Sequence, residues 1–296
     1  LLKNADLALY GAKDDGRRTW RFFEPGMGAR AKLRRTLESE MRRSIADDGF
    51  EVYYQPVVDL RDGAIRGCEA LLRWHHPQRG TIAPADFIPV AEDTGLINEL
   101  GRFVLDAACR EAKNWPADVR IAVNVSPVQF RSQTLALNVA AALAASGVAA
   151  QRLELEITEA VLMRDDEAAL ATLHQLRALG VRIALDDFGT GYSSLTYLQS
   201  FPFDKIKIDR SFVQDITDNA GSLYIVRAVA ALANGMGMAA TAEGVETREQ
   251  LDKIAAVGCT EMQGYLFSKP LPVAEIERLF LSRLPRPAET QNSAVA

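Results

Sequence analysis

The chain of 296 residues is 48% hydrophobic and 25% charged, and its formal charge is −5. This length accommodates one barrel-sized core of about 250 residues with short extensions rather than two large domains, and no apolar run is long enough to span a bilayer. The negative balance excludes a surface that coats a nucleic-acid polymer, and a carboxylate-lined site could hold a polyanion only where cations reverse the local field.

The sequence opens on Leu1 with no charged leader, so it is expected to be a piece cut from a longer protein. Residues 4–13 have helical spacing, 19–23 read as a strand, 25–28 form a Pro/Gly break, and 31–46 read as a charged amphipathic helix. Two strand-like runs follow at 51–58 and 64–74, joined by Asp59-Leu60-Arg61-Asp62-Gly63. Asp-Gly there is a hairpin signal, so these two strands should run antiparallel. The pattern then changes to strand and helix in turn. Helices are expected at 87–91 and 96–114, a strand at 119–125, a helix at 135–145, a strand at 152–157 and a helix at 167–179. Strands at 181–185 and 205–208, a helix at 223–234, a strand at 238–242, a helix at 248–257 and a strand at 261–265 complete the set. The polar, Pro-containing stretch 285–296 is expected to be a disordered tail. Strands separated by helix-length connections make an α/β protein, a TIM-like (β/α)8 barrel with one antiparallel strand.

Six apolar segments of this pattern stop on a residue that binds cations or moves protons: Glu69, Asn124, Glu156, Asp186-Asp187, Lys207 and Glu243. Barrel enzymes gather their working residues at these strand C-termini. Alternation puts Glu69 and Arg73 on one face of their strand, which serves an ion pair as readily as a site. Asn124, ahead of Val125-Ser126-Pro127, could cap a helix, and Thr158 or Glu159 could do so after Glu156. Asp186-Asp187-Phe188-Gly189-Thr190-Gly191 carries more weight, because two adjacent acids repel unless a cation or proton lies between them. Adjacent aspartates can bridge two divalent ions about 3.5–4 Å apart, the clamp of an in-line phosphoryl displacement. Lys207 alternates with Ile206 and Ile208 and so points into the barrel, either to orient water or to form a structural ion pair. Glu246, after Glu243, could be a first-turn acid of the next helix. His75, His76 and His174 are too few for a typical zinc hydrolase, which favours oxygen-bound Mg²⁺ or Mn²⁺. Cys68, Cys109 and Cys259 are odd in number and widely spaced, as expected of reduced structural thiols in the cytoplasm.

Glu69-Ala70-Leu71 with Leu72-Arg73-Trp74, then Asn124-Val125-Ser126, Glu156-Ile157-Thr158-Glu159, the Asp186 to Leu195 loop, Lys207-Ile208-Asp209, Glu243-Gly244-Val245-Glu246 and Gln263-Gly264-Tyr265 resemble the ordered motifs of EAL-domain cyclic di-GMP phosphodiesterases. The resemblance covers roughly residues 30–283, and Ala5 to Lys13 with Gly16-Arg17 resembles the C-terminal end of a GGDEF domain. It implies a GGDEF remnant and linker at 1–28, a phosphodiesterase barrel at 29–284, and upstream GGDEF and sensor domains in a longer parent, open to membrane anchoring, whose catalytic part is cytoplasmic. The implied reaction is hydrolysis of cyclic di-GMP to linear pGpG by two-metal, in-line attack of water. Glu69, Asn124, Glu156 and Asp186 would hold one Mg²⁺ or Mn²⁺, and Asp186, Asp187 and Glu243 the second. Lys207 would orient or help deprotonate the water, with Asp187 and Glu243 beside it. Gln55, Arg73, Glu246 and Gln263 would contact substrate, Arg73 through phosphate. Glu159 would anchor the loop after Asp187, near a surface through which the family forms homodimers. A receptor module that binds cyclic di-GMP without cutting it is the alternative, although it has no need of the complete water-activating set. A barrel lyase using enolate chemistry would not need this combination of loop and Asn124.

Overall fold

The computed structural model describes residues 26–162, 166–190 and 203–283, with isolated positions beside them. The expected helix at 4–13 and strand at 19–23 lie outside the described residues save for single positions, and the tail at 285–296 lies wholly outside them. The chain divides into a larger unit, Val52–Leu71 with Gly101–Ala296, and a smaller one, Leu1–Glu51 with Leu72–Leu100.

Nine strands are present among the described residues: β1 (Phe50–Asp59), β2 (Ile65–His76), β3 (Gly80–Ile82), β4 (Arg120–Asn124), β5 (Leu153–Thr158), β6 (Arg182–Phe188), β7 (Lys205–Ile208), β8 (Ala239–Ala242) and β9 (Glu261–Met262). They pair in the order β1-β9-β8-β7-β6-β5-β4-β2-β3, and β1 also pairs with β2, which closes a ring of eight and leaves β3 outside it. β1 runs antiparallel to β9, while β8 and β9 are parallel, so β1 is the reversed strand. Its hairpin to β2 closes through Asp59 N–H donating to Ala64 O at 2.9 Å, with Gly63 supplying the positive φ of 70°.

Side chains on strands that are not neighbours can meet only across the barrel lumen, and such contacts identify the inward positions. Lys205 Nζ on β7 lies 2.6 Å from Glu154 Oε1 on β5 and 3.0 Å from Glu261 Oε2 on β9. Arg120 on β4 lies 3.7 Å from Glu261, Arg182 on β6 lies 3.4 Å from Glu154, and Thr241 on β8 donates to Glu261 Oε2 at 2.9 Å. Burial would raise the Glu154 carboxyl, but Lys205, Arg120 and Arg182 hold it below its ordinary range. The lumen is therefore filled at this level by an ionic layer in place of the branched apolar side chains usual in such barrels. The alternate positions, including Ile121, Val123, Leu153, Leu155, Ile183, Leu185, Ile206 and Ile208, are buried and point outward. The helices Asp166–Ala178 and Ala220–Gly235 cover β6 and β7–β8 respectively. Each such aliphatic side chain contributes roughly 1.5–3 kcal/mol by leaving water.

In the smaller unit the helix Met27–Ala46 packs on the helix Pro84–Thr94, and Arg34 pairs with Asp93. Fully buried Trp74 stacks on Phe50 at 5.5 Å, meets Phe87 edge-on and donates from Nε1 to Ser44 Oγ at 2.9 Å. Cys68, Cys109 and Cys259 are free and buried, and burial pushes all three thiols up. No described helix is long and apolar enough to cross a membrane.

The expected strand at 261–265 is only Glu261–Met262, because Gly264 packs against the Val245 backbone, where a Cβ would lie 2.1 Å from Val245 O. β3 and the helices Pro127–Phe130, Glu159–Leu162, Arg210–Gln214 and Val273–Arg283 are additions to the expected elements. Most span one or two turns, too short for periodicity to reveal.

Candidate active site

Polar side chains on or just beyond β2, β5, β6, β7 and β8 meet at one point of the upper lumen. Lys207 of β7 is the centre, 1% exposed. Its Nζ donates to Glu156 Oε2 at 2.8 Å and lies 3.2 Å from Asp186 Oδ1, 2.6 Å from Glu243 Oε1 and 3.7 Å from Glu69 Oε2. The approach to Glu243 is off the hydrogen-bonding direction, and Glu243 Oε1 is buried without a hydrogen-bond donor among the described residues. The contact is an ion pair only.

Strict alternation would send Asp186 and Asp187 to opposite faces. The register of β6 against β7 prevents this: Leu185 pairs with Ile206 and Phe188 with Ile208, so β6 spends one extra residue on the same length. This bulge turns Asp187 into the left-handed region, φ 54°, where its N–H donates to Asp186 Oδ1 at 3.0 Å. Aspartate tolerates that conformation better than most residues. One carboxylate oxygen from each of Asp186, Asp187 and Glu243 consequently lies within 4.8 Å of the others.

Glu69 of β2 is held from both sides. Asn124 Nδ2 donates to Oε1 at 2.5 Å and Gln263 Nε2 donates to Oε2 at 2.6 Å. Asn124 does not cap the following helix; Ser126 does, in a capping box with Gln129. Glu159, at the start of its short helix, accepts from Gly189 N–H at 3.1 Å through Oε1. The loop beyond residue 190 lies outside the described residues until 198. Glu246 precedes the N-cap Thr247 and so is not a first-turn acid. Arg73 belongs to the smaller unit, where its guanidinium donates to Leu72 O at 2.9 Å.

Five carboxylates with one ammonium leave a formal deficit of four positive charges. The acids respond as electrostatics requires. Burial pushes Glu243 up to about 8 and Glu156 well above the carboxylate range, with repulsion from Asp186 and Glu69 adding to it and Lys207 opposing it. Burial also raises Asp187, helped by Asp186. Glu69 goes the other way, because Lys207 and the donors Gln263 and Asn124 outweigh its burial. A cluster that must take up protons when left alone is suited to cations. Its donors are carboxylate and amide oxygens without His or Cys, the set that suits hard divalent ions such as Mg²⁺ and Mn²⁺.

The EAL domain family matches residues 38–270, which include every one of these side chains. The chain belongs to the EAL domain family. Among relatives of this EAL chain, the Sinorhizobium fredii protein y4lL is 51% identical over 283 residues, 96% of this chain and 34% of its own length. The bifunctional diguanylate cyclase/cyclic di-GMP phosphodiesterase MucR of Pseudomonas aeruginosa is 43% identical over 280 residues, 93% of this chain and 41% of its own. The chain thus spans between a third and a half of these relatives. The solved structure of the PaMucR phosphodiesterase in complex with c-di-GMP superposes with a TM-score of 0.79 at 42% identity, covering 81% of this chain and 99% of that one.

Beside the EAL cluster a cleft of about 200 Å³ opens, lined by Gln55, Glu69, Glu243, Glu246 and Gln263 together with Arg210, Gln214 and Tyr265. The last three were not among the residues expected from sequence to line the site. Arg210 follows directly on Lys207-Ile208-Asp209, and Gln214 lies one helical turn beyond it, so their spacing to β7 was the available signal.

Proposed function

We propose that this EAL barrel is a phosphodiesterase that hydrolyses cyclic di-GMP to linear pGpG with two divalent cations. The observation that carries the reading is the convergence of Glu69, Glu156, Asp186, Asp187 and Glu243 around one buried ammonium. Their deficit of four charges equals the charge of two Mg²⁺ or Mn²⁺ ions. Glu69, Asn124, Glu156 and Asp186 would hold one ion, and Asp186, Asp187 and Glu243 the other. When bound, such a pair supplies Lewis acidity and a nucleophile at neutral pH.

The protein's own groups do the rest. Lys207, fixed by its carboxylate neighbours, presents a donor that orients the attacking water and offsets charge developing on phosphorus. Gln55, Glu246 and Gln263 offer hydrogen bonds to the nucleotide from the cleft. Glu159 holds the Gly189 end of the loop after Asp187. Names of relatives that include cyclic di-GMP phosphodiesterase support the substrate. Self-association into a homodimer and control by upstream GGDEF and sensor domains belong to the same reading, and relatives more than twice as long are consistent with it.

The test is incubation of the purified chain with cyclic di-GMP and Mg²⁺ or Mn²⁺, with EDTA and Glu69→Ala controls, followed by chromatography. Formation of pGpG that both controls abolish is expected. Tight binding without product under either metal would reject hydrolysis and make the domain a receptor. Sedimentation as a strict monomer at full activity would reject the dimer.

A further inference from the structure

Four hydrogen bonds form a chain that ends on Glu69. Gln55 Nε2 donates to Ser268 O at 3.1 Å, and Gln263 Nε2 donates to Gln55 Oε1 at 3.0 Å and to Glu69 Oε2 at 2.6 Å. Asn124 Nδ2 occupies the other oxygen of Glu69. An amide side chain can face either way, so its direction must come from a group that cannot reverse. Here that group is the Ser268 carbonyl, which only accepts. It obliges Gln55 to turn its NH₂ outward to the loop and its oxygen toward Gln263. Gln263 must then present NH₂, whose two hydrogens go to Gln55 and Glu69. The reverse orientation would set the Gln263 oxygen against two acceptors at once. In the orientation adopted, Gln263 Oε1 is buried with no hydrogen-bond partner among the described residues. The pinned polarity accounts for that cost.

The anchor itself is rigid. Gly264 packs on the Val245 backbone, Phe267 and Ser268 N–H both donate to Gly264 O at 3.2 Å, and Leu271 exchanges hydrogen bonds of 2.7 and 2.9 Å with Tyr54, the neighbour of Gln55. The Ser268 carbonyl and the Gln55 backbone are thereby fixed to each other.

We infer that Gln55 and Gln263 are positioning residues, an amide relay of fixed polarity that carries the Ser268 carbonyl's direction to Glu69 and orients its carboxylate for a metal ion. The inference rests on Glu69 serving as a metal ligand, as proposed above. Partners one bond removed from a ligand typically alter metal affinity by about 10–100-fold. Among the described residues no hydrogen bond joins Gln55 to a carboxylate of the cluster, so its effect on metal affinity is expected to pass through Gln263.

The experiment is Mn²⁺ binding to the purified chain without nucleotide, read from the electron paramagnetic resonance of free Mn²⁺. The absence of nucleotide removes any direct contact of either glutamine with substrate. Gln55→Met is expected to weaken Mn²⁺ binding by about tenfold or more, and Gln263→Met by at least as much. The double variant should be no weaker than Gln263→Met alone, because both act along one path. Gln55→Asn keeps the amide but falls short of Ser268, and is expected to lie between wild type and Gln55→Met. It asks the same question should Gln55→Met fail to fold. Wild-type affinity in both Gln55 variants, or losses that multiply in the double variant, would overturn the relay while loss in Glu69→Ala left the metal reading standing. Equal binding by wild type and Glu69→Ala would overturn the metal reading and the relay with it.

Discussion

Replacing Lys207 by methionine keeps much of its volume and removes the one cation among Glu69, Glu156, Asp186 and Glu243. The four contacts lie between 2.6 and 3.7 Å, all shielded from solvent. Taking one partner from a buried ion pair costs about 3–5 kcal/mol, and partial protonation of the orphaned acids keeps the loss within that range despite the number of contacts. For a domain of this size, roughly 2–4 °C of melting temperature goes with each kcal/mol. Thermal unfolding followed by circular dichroism in EDTA should therefore place Lys207→Met about 6–20 °C below wild type. Addition of millimolar Mn²⁺ should raise the variant's melting temperature more than that of wild type, since its deficit of positive charge is larger. Lys205→Met is the control. It removes an equally buried ammonium, from Glu154 and Glu261, and Mn²⁺ should not repair it because that layer lies below the proposed ligands. If Lys207→Met melted with wild type in EDTA, or if Mn²⁺ repaired Lys205→Met as well, the electrostatic account of the upper lumen would be wrong.

Gly264→Ala would drive a methyl group into the Val245 backbone at 2.1 Å. It should lower both melting temperature and turnover by displacing Gln263, and an unchanged turnover would argue against that coupling. Ser44→Ala leaves the buried Trp74 Nε1–H without its acceptor and should cost about 1–3 kcal/mol, measured by urea denaturation. Arg61 donates to Asp59 and holds its carboxyl down at about 2, with Arg66 adding to the effect. The stabilisation is complete above the unfolded value of about 3.9 and disappears as pH falls through about 2. Asp59→Asn should thus lower stability at pH 6 and flatten its decline between pH 4 and 2, as read from melting temperatures across that range.

The barrel was legible because its outer faces are regular. Every strand of the ring fell within a residue or two of its expected limits except at the C-terminal ends of β6, which runs on to Phe188, and of β9, which stops at Met262, and Asp62-Gly63 disclosed the reversed strand. The convergence of Glu69, Asn124, Glu156 and Asp186 was legible as motifs at strand ends. The means by which Asp187 joins them was not. A bulge is a mismatch between two strands, and one strand's residues do not record it. Lys205 and Glu154 stand two residues before Lys207 and Glu156 in the sequence, but only contacts between non-adjacent strands show that they form a separate layer. The cap expected of Asn124 falls to Ser126, because Pro127 takes the first helical position.

The ionic layer of Glu154, Lys205, Glu261, Arg120 and Arg182 also bears on how this barrel responds to heat. A lumen packed with aliphatic side chains would expose apolar surface on unfolding and raise the heat capacity, whereas this one exposes charged groups that lower it. The penalty for keeping those charges dry shrinks as temperature rises. Scanning calorimetry should find a smaller heat-capacity increment per residue than the usual 12–15 cal/mol/K, about the average for globular proteins. The stability of the barrel would then vary slowly across temperature, so that its carboxylates keep their spacing in a cold cell and a warm one alike.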